Sequence, residues 1–378
     1  MSHKVDANFS KEEQIRYSRH FVLPGFGSDA QLKLKSSKII VIGAGGLGCP
    51  VLLYLAAAGV GTIAIVDDDQ VSLSNLQRQV LYTTEDITKS KAIAAADRLK
   101  KLNPSISIHT IEKRITNNNA FRVLSNYDIV IDCTDNFPTR YLLNDACVLL
   151  DKPLVYGSIF RYEGQVAVIN YKKGPNYRDL YPLPPSPDSV PNCEEGGVLG
   201  VLAGIIGSMQ ANEAIKIAGG FGETVAGRLV IFDSHTFEFT QIKIPDQNSR
   251  AKIKSLINYD EFCGISSLTP IETMKEVTVQ ELKALMDSGA DFQLIDVREP
   301  HEYDICNLGG ELIPQGEIPN HVDKVSKNKK VIVQCRSGAR SGNMVQWLEK
   351  NHGFTNLYNL KGGILAWARD IDTSMPTY

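Results

Sequence analysis

A cysteine followed by small and basic residues, Cys335-Arg336-Ser337-Gly338-Ala339-Arg340-Ser341, joins an apolar run, Lys330–Gln334, to a helix-forming run that begins near Gly342. A cysteine at a strand-to-helix turn faces backbone N–H groups and the positive end of the following helix. Both favour a thiolate. Arg336 and Arg340 add positive charge, so the segment reads as a cradle for an anion or for a negatively charged sulfur. Some three hundred residues upstream, Gly43-Ala44-Gly45-Gly46-Leu47-Gly48 lies between a strand pattern and a helix pattern. Glycines at such a turn let backbone approach phosphate, and the helix N-terminus supplies N–H donors. Asp67 opens an acidic run through Asp69, about 20 residues on, the separation at which an acid meets a ribose hydroxyl.

Taken alone, the glycine loop fits an NAD-binding protein. The residues that follow suit a triphosphate with magnesium better. Asn75 and Arg78 come just after the acidic run, Lys91 opens the next helix, and Asp135 follows a further strand. An arginine, a lysine and an acid converging on one strand-end crevice match the charges of a metal–triphosphate complex. Asp135 has a second reading, as the N-cap of the helix that follows it.

These residues require elements to hold them. Lys38–Ile42, Thr62–Val66, Ser107–Ile111 and Tyr127–Ile131 are strand patterns, and helical patterns at Val51–Ala58 and Lys89–Leu102 alternate with them. The alternation predicts an α/β fold with a Rossmann-like, mostly parallel sheet and helices on both faces. Residues 174–192 are proline-rich and predict a long surface loop. An apolar helix runs from about Val198 to Ile217, and residues 228–244 alternate as antiparallel strands do. A second, smaller α/β pattern starts near Val277. The expected organisation is a first domain over 1–245, a linker over 246–275 with some local structure, and a second domain over 276–378.

The 378 residues carry a net charge of −3, which gives no electrostatic argument for nucleic acid or an anionic membrane. No apolar run is long enough to span a bilayer, and the polar N-terminus lacks a signal-peptide core. Seven cysteines with no close pairs argue against a disulfide framework, so a cytoplasmic location is expected.

The segments Arg16-Tyr17-Ser18-Arg19, the glycine loop, Asp67-Asp68-Asp69, Ser72–Gln79, Asp132–Asn136, Gly157-Ser158, Glu163-Gly164-Gln165 and Cys193–Ile217 together resemble the MoeB/ThiF/HesA family, relatives of ubiquitin-activating enzymes, over roughly 8–245. The resemblance implies that ATP adenylates the C-terminal glycine of a ubiquitin-like sulfur carrier ending in Gly-Gly. It implies nucleotide contacts from Gly43, Gly45, Gly46, Gly48 and Asp69. Asp67 would hold the ribose, Asn75, Arg78 and Lys91 the phosphates, and Asp135 the Mg²⁺. Arg19 would reach the triphosphate of the other protomer in a homodimer. Cys193 would act in carrier transfer, although Glu194 and Glu195 beside it oppose thiolate formation.

Many members of the family hold a structural zinc with two Cys-x-x-Cys pairs. Here Asn176 and Asp179 occupy the first pair's positions, and Pro245–Ser249 contains no cysteine, so no zinc site is expected.

Residues 277–370 resemble a rhodanese domain through Leu294–Tyr303, Ile313-Pro314, the Cys335 loop and Leu360–Trp367. The resemblance implies a persulfide on Cys335, its terminal sulfur held by backbone amides of Arg336, Ser337, Gly338, Ala339 and Arg340. Cysteine phosphatases use Cys-x₅-Arg; the spacing here is Cys335-x₄-Arg340, which suits sulfur. His301 and Glu302 are expected to order the strand-end turn, and Arg298 to pin Asp296 or the loop. The sulfur donor would be a cysteine desulfurase or thiosulfate. The competing readings are an NAD-binding protein joined to a phosphatase-like domain, and a rhodanese domain that only docks carriers. The sequence ends Met375-Pro376-Thr377-Tyr378, without Gly-Gly, so it is not expected to be its own carrier.

Overall fold

The computed structural model describes residues 8–185, 197–264 and 274–377. It divides into two compact units, residues 1–267 and 268–378.

In the first unit, five strands run parallel: β1 (Lys38–Ile42), β2 (Thr62–Val66), β3 (Ser107–Ile111), β4 (Ile129–Asp132) and β5 (Leu154–Phe160). An antiparallel extension continues the sheet through β6 (Glu163–Ile169), β7 (Arg228–Asp233) and β8 (Glu238–Lys243). The spatial order is β3-β2-β1-β4-β5-β6-β7-β8.

Alternation along β1 explains why both faces are covered. Ile39 and Val41 join one core, with helices Gly48–Ala58, Lys91–Leu102 and Gly200–Gly219. Ile40 and Ile42 join the other, with helices Ala120–Leu124 and Phe137–Leu149. Successive strand side chains point to opposite faces, so a β-branched run is buried on both. Strand order reverses between β1 and β4, and an open α/β sheet binds ligands beyond the carboxyl ends at such a point. The glycine loop leaves β1 there and Asp132 ends β4 there.

The first unit extends into the segment read as a linker. Ile253, Tyr259 and Cys263 are buried, and the Tyr259 hydroxyl donates to Asp145 Oδ2 at 2.8 Å. Burial of these scattered apolar positions, which lack a clean period, ties residues up to 263 to the first core.

The second unit holds a five-stranded parallel sheet, ordered β11-β10-β12-β13-β9. Its strands are β9 (Glu276–Val277), β10 (Phe292–Asp296), β11 (Glu311–Leu312), β12 (Lys330–Gln334) and β13 (Leu357–Leu360). The central strand β12 delivers Cys335 to the carboxyl edge, and the helix Ala339–His352 follows it. Among the described residues, no helix is long and apolar enough to cross a membrane.

Candidate active sites

At the β1/β4 switch point lies a cavity of about 490 Å³. Gly43, Gly45, Gly46, Asp67, Asp68, Asp69, Asn75, Arg78, Lys91 and Asp135 line it. Gly43 has φ +94°, and a Cβ there would stand 2.7 Å from the Cys133 carbonyl oxygen, so only glycine lets the loop pass so close to β4. Gly48 does not line the cavity. A Cβ on it would meet the Gly43 carbonyl oxygen at 2.1 Å, so its glycine serves the tight turn into the helix rather than ligand approach.

Asp67 accepts hydrogen bonds from Ala44 N at 2.7 Å and Asp69 N at 2.9 Å, which fixes its carboxylate beside the glycine loop. Burial raises its pKa above the ordinary aspartate value, against the lowering effect of these N–H donors and Lys91. Lys91 is buried and its ammonium meets Asp69 Oδ2 at 2.9 Å, so Asp69 is its counter-ion. Arg78 donates to the Ser74 carbonyl at 3.2 Å, and Asn75 Oδ1 accepts from Ser72 N at 3.2 Å. These local bonds shape the turn that carries both side chains to the cavity.

The two readings of Asp135 are separated by its neighbour. Asn136 is the N-cap of the Phe137–Leu149 helix, its Oδ1 accepting from Thr139 N at 3.0 Å. Asp135 is thereby released from capping. The turn that presents it is held from two sides. Asp132 Oδ1 accepts from Thr134 N at 2.9 Å and Thr134 Oγ1 at 2.6 Å, while Arg140 donates to the Thr134 carbonyl at 3.0 Å. Asp132 is fully buried with Oδ2 lacking a partner, and burial raises its pKa.

The sequence reading did not single out Gln79, Lys113, Arg114, Thr139 or Arg140, all of which line the cavity. Lys113 and Arg114 had a signal: they follow β3, whose carboxyl end faces the same crevice. Arg19 is exposed on the short helix Ser18–Phe21 and is not among the cavity residues. Cys193 lies outside the described residues.

Burial pushes the Cys49 thiol up to about 12 and the Cys263 thiol up to about 11, and raises those of Cys133 and Cys147. Buried thiols with raised pKa are poor nucleophiles. Cys335 is buried as well, and two donors face its sulfur. Its Sγ accepts from Gly338 N at 3.1 Å and from Ser341 Oγ at 3.3 Å. Gly338 has φ +93° and caps the following helix. Behind the loop, Ile364 N donates to the Cys335 carbonyl at 2.9 Å and Leu365 N to the Arg336 carbonyl at 3.1 Å. A Cβ on Gly363 would lie 2.4 Å from the Cys335 carbonyl oxygen. The Gly362-Gly363 pair therefore lets a helix N-terminus grip the loop from below.

Arg340 was expected to lend its charge to this cradle. Its guanidinium instead meets the Glu302 carboxylate, Nη1–Oε2 and Nη2–Oε1 both at 2.7 Å. A bidentate carboxylate partner neutralises that charge, leaving Arg340 to anchor the end of the loop. Arg298 pins Asp296 through Nη2–Oδ2 at 2.7 Å with both side chains fully buried, and donates to the carbonyls of Glu302 and Cys306. This pair holds the short helix Pro300–Ile305 that carries Glu302.

At the positions that correspond to the family's zinc ligands, Asp179 Oδ1 accepts from Gln247 N and Ser249 N, and Asp179 Oδ2 from Asn176 N and Nδ2. Asn176 Nδ2 also lies 2.7 Å from Ser249 Oγ. Four N–H donors thus converge on a carboxylate where a metal would need free oxygens.

The ThiF family profile matches residues 17–253, and the Rhodanese-like domain profile matches residues 278–370. The chain belongs to the ThiF family. This ThiF-family chain is 44% identical over 379 residues to the probable adenylyltransferase/sulfurtransferase MoeZ of Mycobacterium tuberculosis, covering 98% of this chain and 96% of that protein. It is 40% identical over 401 residues to the adenylyltransferase and sulfurtransferase MOCS3 of Culex quinquefasciatus, covering 98% and 90%. Among solved structures, E. coli MccB with MccA-N7isoASN superposes with a TM-score of 0.56 at 23% identity, over 63% of this chain and 73% of that one. That likeness concerns the fold. Both relatives carry the same pair of activities in their names: the ThiF-family chain is an enzyme of the adenylyltransferase and sulfurtransferase type, and an adenylyltransferase of this type uses ATP. The NAD-binding reading of its glycine loop gives way accordingly.

Proposed function

We propose that this enzyme activates the C-terminal glycine of a ubiquitin-like sulfur carrier ending in Gly-Gly and converts it to a thiocarboxylate. The observation that carries the reading is Asp135, freed from helix capping by Asn136, in one cavity with the glycine loop, Arg78 and Lys91. Asp67 accepts from the ribose hydroxyls. Asn75, Arg78 and Lys91 hold the phosphates, and Lys91 exchanges Asp69 for them. Asp135 would hold Mg²⁺ through its carboxylate oxygens, donors that suit a hard cation. Bound there, the ion would offset charge on the triphosphate. Arg19 serves the triphosphate of the other protomer in a homodimer.

A carboxylate oxygen of the carrier's last glycine attacks the α-phosphorus and pyrophosphate leaves. The protein contributes positioning and fixed positive charge. Sulfur from thiosulfate or a cysteine desulfurase resides on Cys335 as a persulfide. Its terminal sulfur attacks the acyl carbon and AMP leaves, giving an acyl disulfide. A second thiolate attacks Cys335 Sγ, the S–S bond breaks, the carrier departs as a thiocarboxylate, and the disulfide formed between that thiol and Cys335 is reduced by an external thiol. Cys193 is the thiol proposed for that step.

Exchange of labelled pyrophosphate into ATP tests the first half. It should require a Gly-Gly-ended carrier and be lost in Asp135→Ala and Arg78→Ala. Exchange that proceeds without any carrier, or survives in Asp135→Ala, would sink the reading.

A further inference from the structure

Ser341 has one hydroxyl proton and faces two acceptors. Its Oγ lies 2.6 Å from Asn359 Oδ1 and 3.3 Å from Cys335 Sγ. All three residues are buried, with Ser341 and Cys335 no more than 1% exposed. Ser341 is the third residue, in the first turn, of the Ala339–His352 helix, and Asn359 comes from β13, next to the strand that delivers Cys335. The backbone of Asn359 is fixed by its N–H bond to the Lys275 carbonyl at 2.8 Å. Two different elements thus bring a hydroxyl and an amide into line behind the sulfur. Gly338 N, a fixed backbone group, also donates to Sγ. The hydroxyl, by contrast, can rotate.

We propose that Ser341 is a catalytic hydroxyl switch for Cys335 and that Asn359 is the positioning residue that sets it. The inference rests on the persulfide reading of Cys335 given above. While the sulfur carries no charge, the proton of Ser341 rests on Asn359 Oδ1. When a nucleophile such as cyanide attacks the outer sulfur, or a thiol reduces the disulfide left on Cys335 after carrier release, the S–S bond breaks and its electron pair stays on Sγ. The hydroxyl then turns and donates to that thiolate. An amide has two faces: turned over, Asn359 presents Nδ2, which donates to Oγ and leaves the hydroxyl proton wholly to the sulfur. A donor that strengthens as charge develops on the leaving group lowers the barrier to discharge.

Discharge of the persulfide to cyanide isolates that step. Cyanide carbon bonds to the outer sulfur, thiocyanate leaves, and Cys335 thiolate remains, so atoms and charge balance. The full-length chain is loaded with thiosulfate, cleared of excess, and mixed with cyanide in a single turnover. Ser341→Ala should slow discharge roughly tenfold to a hundredfold, the range for a hydrogen bond to a charged atom, with KM for thiosulfate unchanged. Ser341→Thr, which keeps the hydroxyl, should restore most of the rate. Asn359→Leu should also slow discharge, yet add nothing in the Ser341→Ala background, because it acts through the hydroxyl. Asn359→Asp, an acceptor that keeps the proton, should slow it with Ser341 in place; this variant serves should Ser341→Ala fail to fold. Discharge within twofold of wild type in Ser341→Ala, or an undiminished effect of Asn359→Leu in that background, overturns the switch. A wild-type chain that takes no sulfur from thiosulfate and none from a cysteine desulfurase overturns the persulfide reading, and the switch with it.

Discussion

Arg340 and Glu302 face each other in two parallel hydrogen bonds of 2.7 Å, with side chains 14% and 9% exposed. Arg340 ends the active loop and Glu302 stands on the helix that Arg298 and Asp296 hold in place. Loop and strand-end turn are therefore one mechanical unit. Removing one partner of a largely buried pair strands the other charge. Glu302→Ala should cost about 3 kcal/mol in denaturant unfolding of the rhodanese unit and lower persulfide formation from thiosulfate. Arg340→Ala should cost a similar amount, and the double variant no more than either. Additive losses would show that the two side chains act separately.

Asp67 predicts how ATP use depends on pH. Burial raises its folded-state pKa, so the neutral acid is favoured in the folded chain relative to the unfolded one. Any stability linked to the neutral form is present below the unfolded pKa and is lost as pH rises through the folded one. Ribose hydroxyls need the ionised form as acceptor. KM for ATP should therefore begin to rise on acidification while the pH is still above the ordinary aspartate value of about 3.9. Asp67→Asn should have a higher KM at neutral pH and a flat profile over that window. A wild-type profile as flat as the variant's would remove Asp67 from the ribose.

The clasp at Asp179 predicts indifference to chelators. Its oxygens receive the N–H groups of Asn176, Gln247 and Ser249, which join two chain segments far apart in sequence. Asp179→Ala leaves buried donors unsatisfied and should destabilise the first unit by about 2–4 kcal/mol. Prolonged treatment with a zinc chelator should leave the wild-type melting temperature unchanged. A chelator-induced drop, with one zinc per chain by metal analysis, would contradict a metal-free clasp.

Cys193 is the thiol proposed to break the acyl disulfide. Cys193→Ala should leave pyrophosphate exchange intact and slow thiocarboxylate formation at least tenfold, with a carrier–enzyme conjugate accumulating on Cys335 that thiols release. Thiocarboxylate formed at the full rate would discard that role.

Much of the architecture was legible because β-branched runs such as Lys38–Ile42 and Thr62–Val66 are buried on both faces and have few other places to go. The site at the end of β4 was legible only in part. The sequence allowed Asp135 to cap the helix; a single hydrogen bond from Thr139 N to Asn136 decides otherwise. Arg340 carried a charge that sequence position assigned to the sulfur loop, and its partner Glu302 lies 38 residues away. Such long-range pairings leave no local pattern. The same holds for Tyr259 on Asp145, across 114 residues, which draws the presumed linker onto the first core. Lys113 and Arg114 could have been found by asking which residues follow each parallel strand.

The central claim is that one chain joins adenylation to sulfur delivery. The most direct measurement is the intact mass of a Gly-Gly-ended carrier after incubation with the full chain, ATP, Mg²⁺ and thiosulfate, with a thiol reductant to complete release. The account predicts that one carboxyl oxygen of the carrier's last glycine is replaced by sulfur, and that Asp135→Ala and Cys335→Ala each prevent it, with pyrophosphate exchange lost in the first and kept in the second. Replacement of oxygen by sulfur in Cys335→Ala at the wild-type rate, or a carrier left unchanged by the wild-type enzyme, would contradict it.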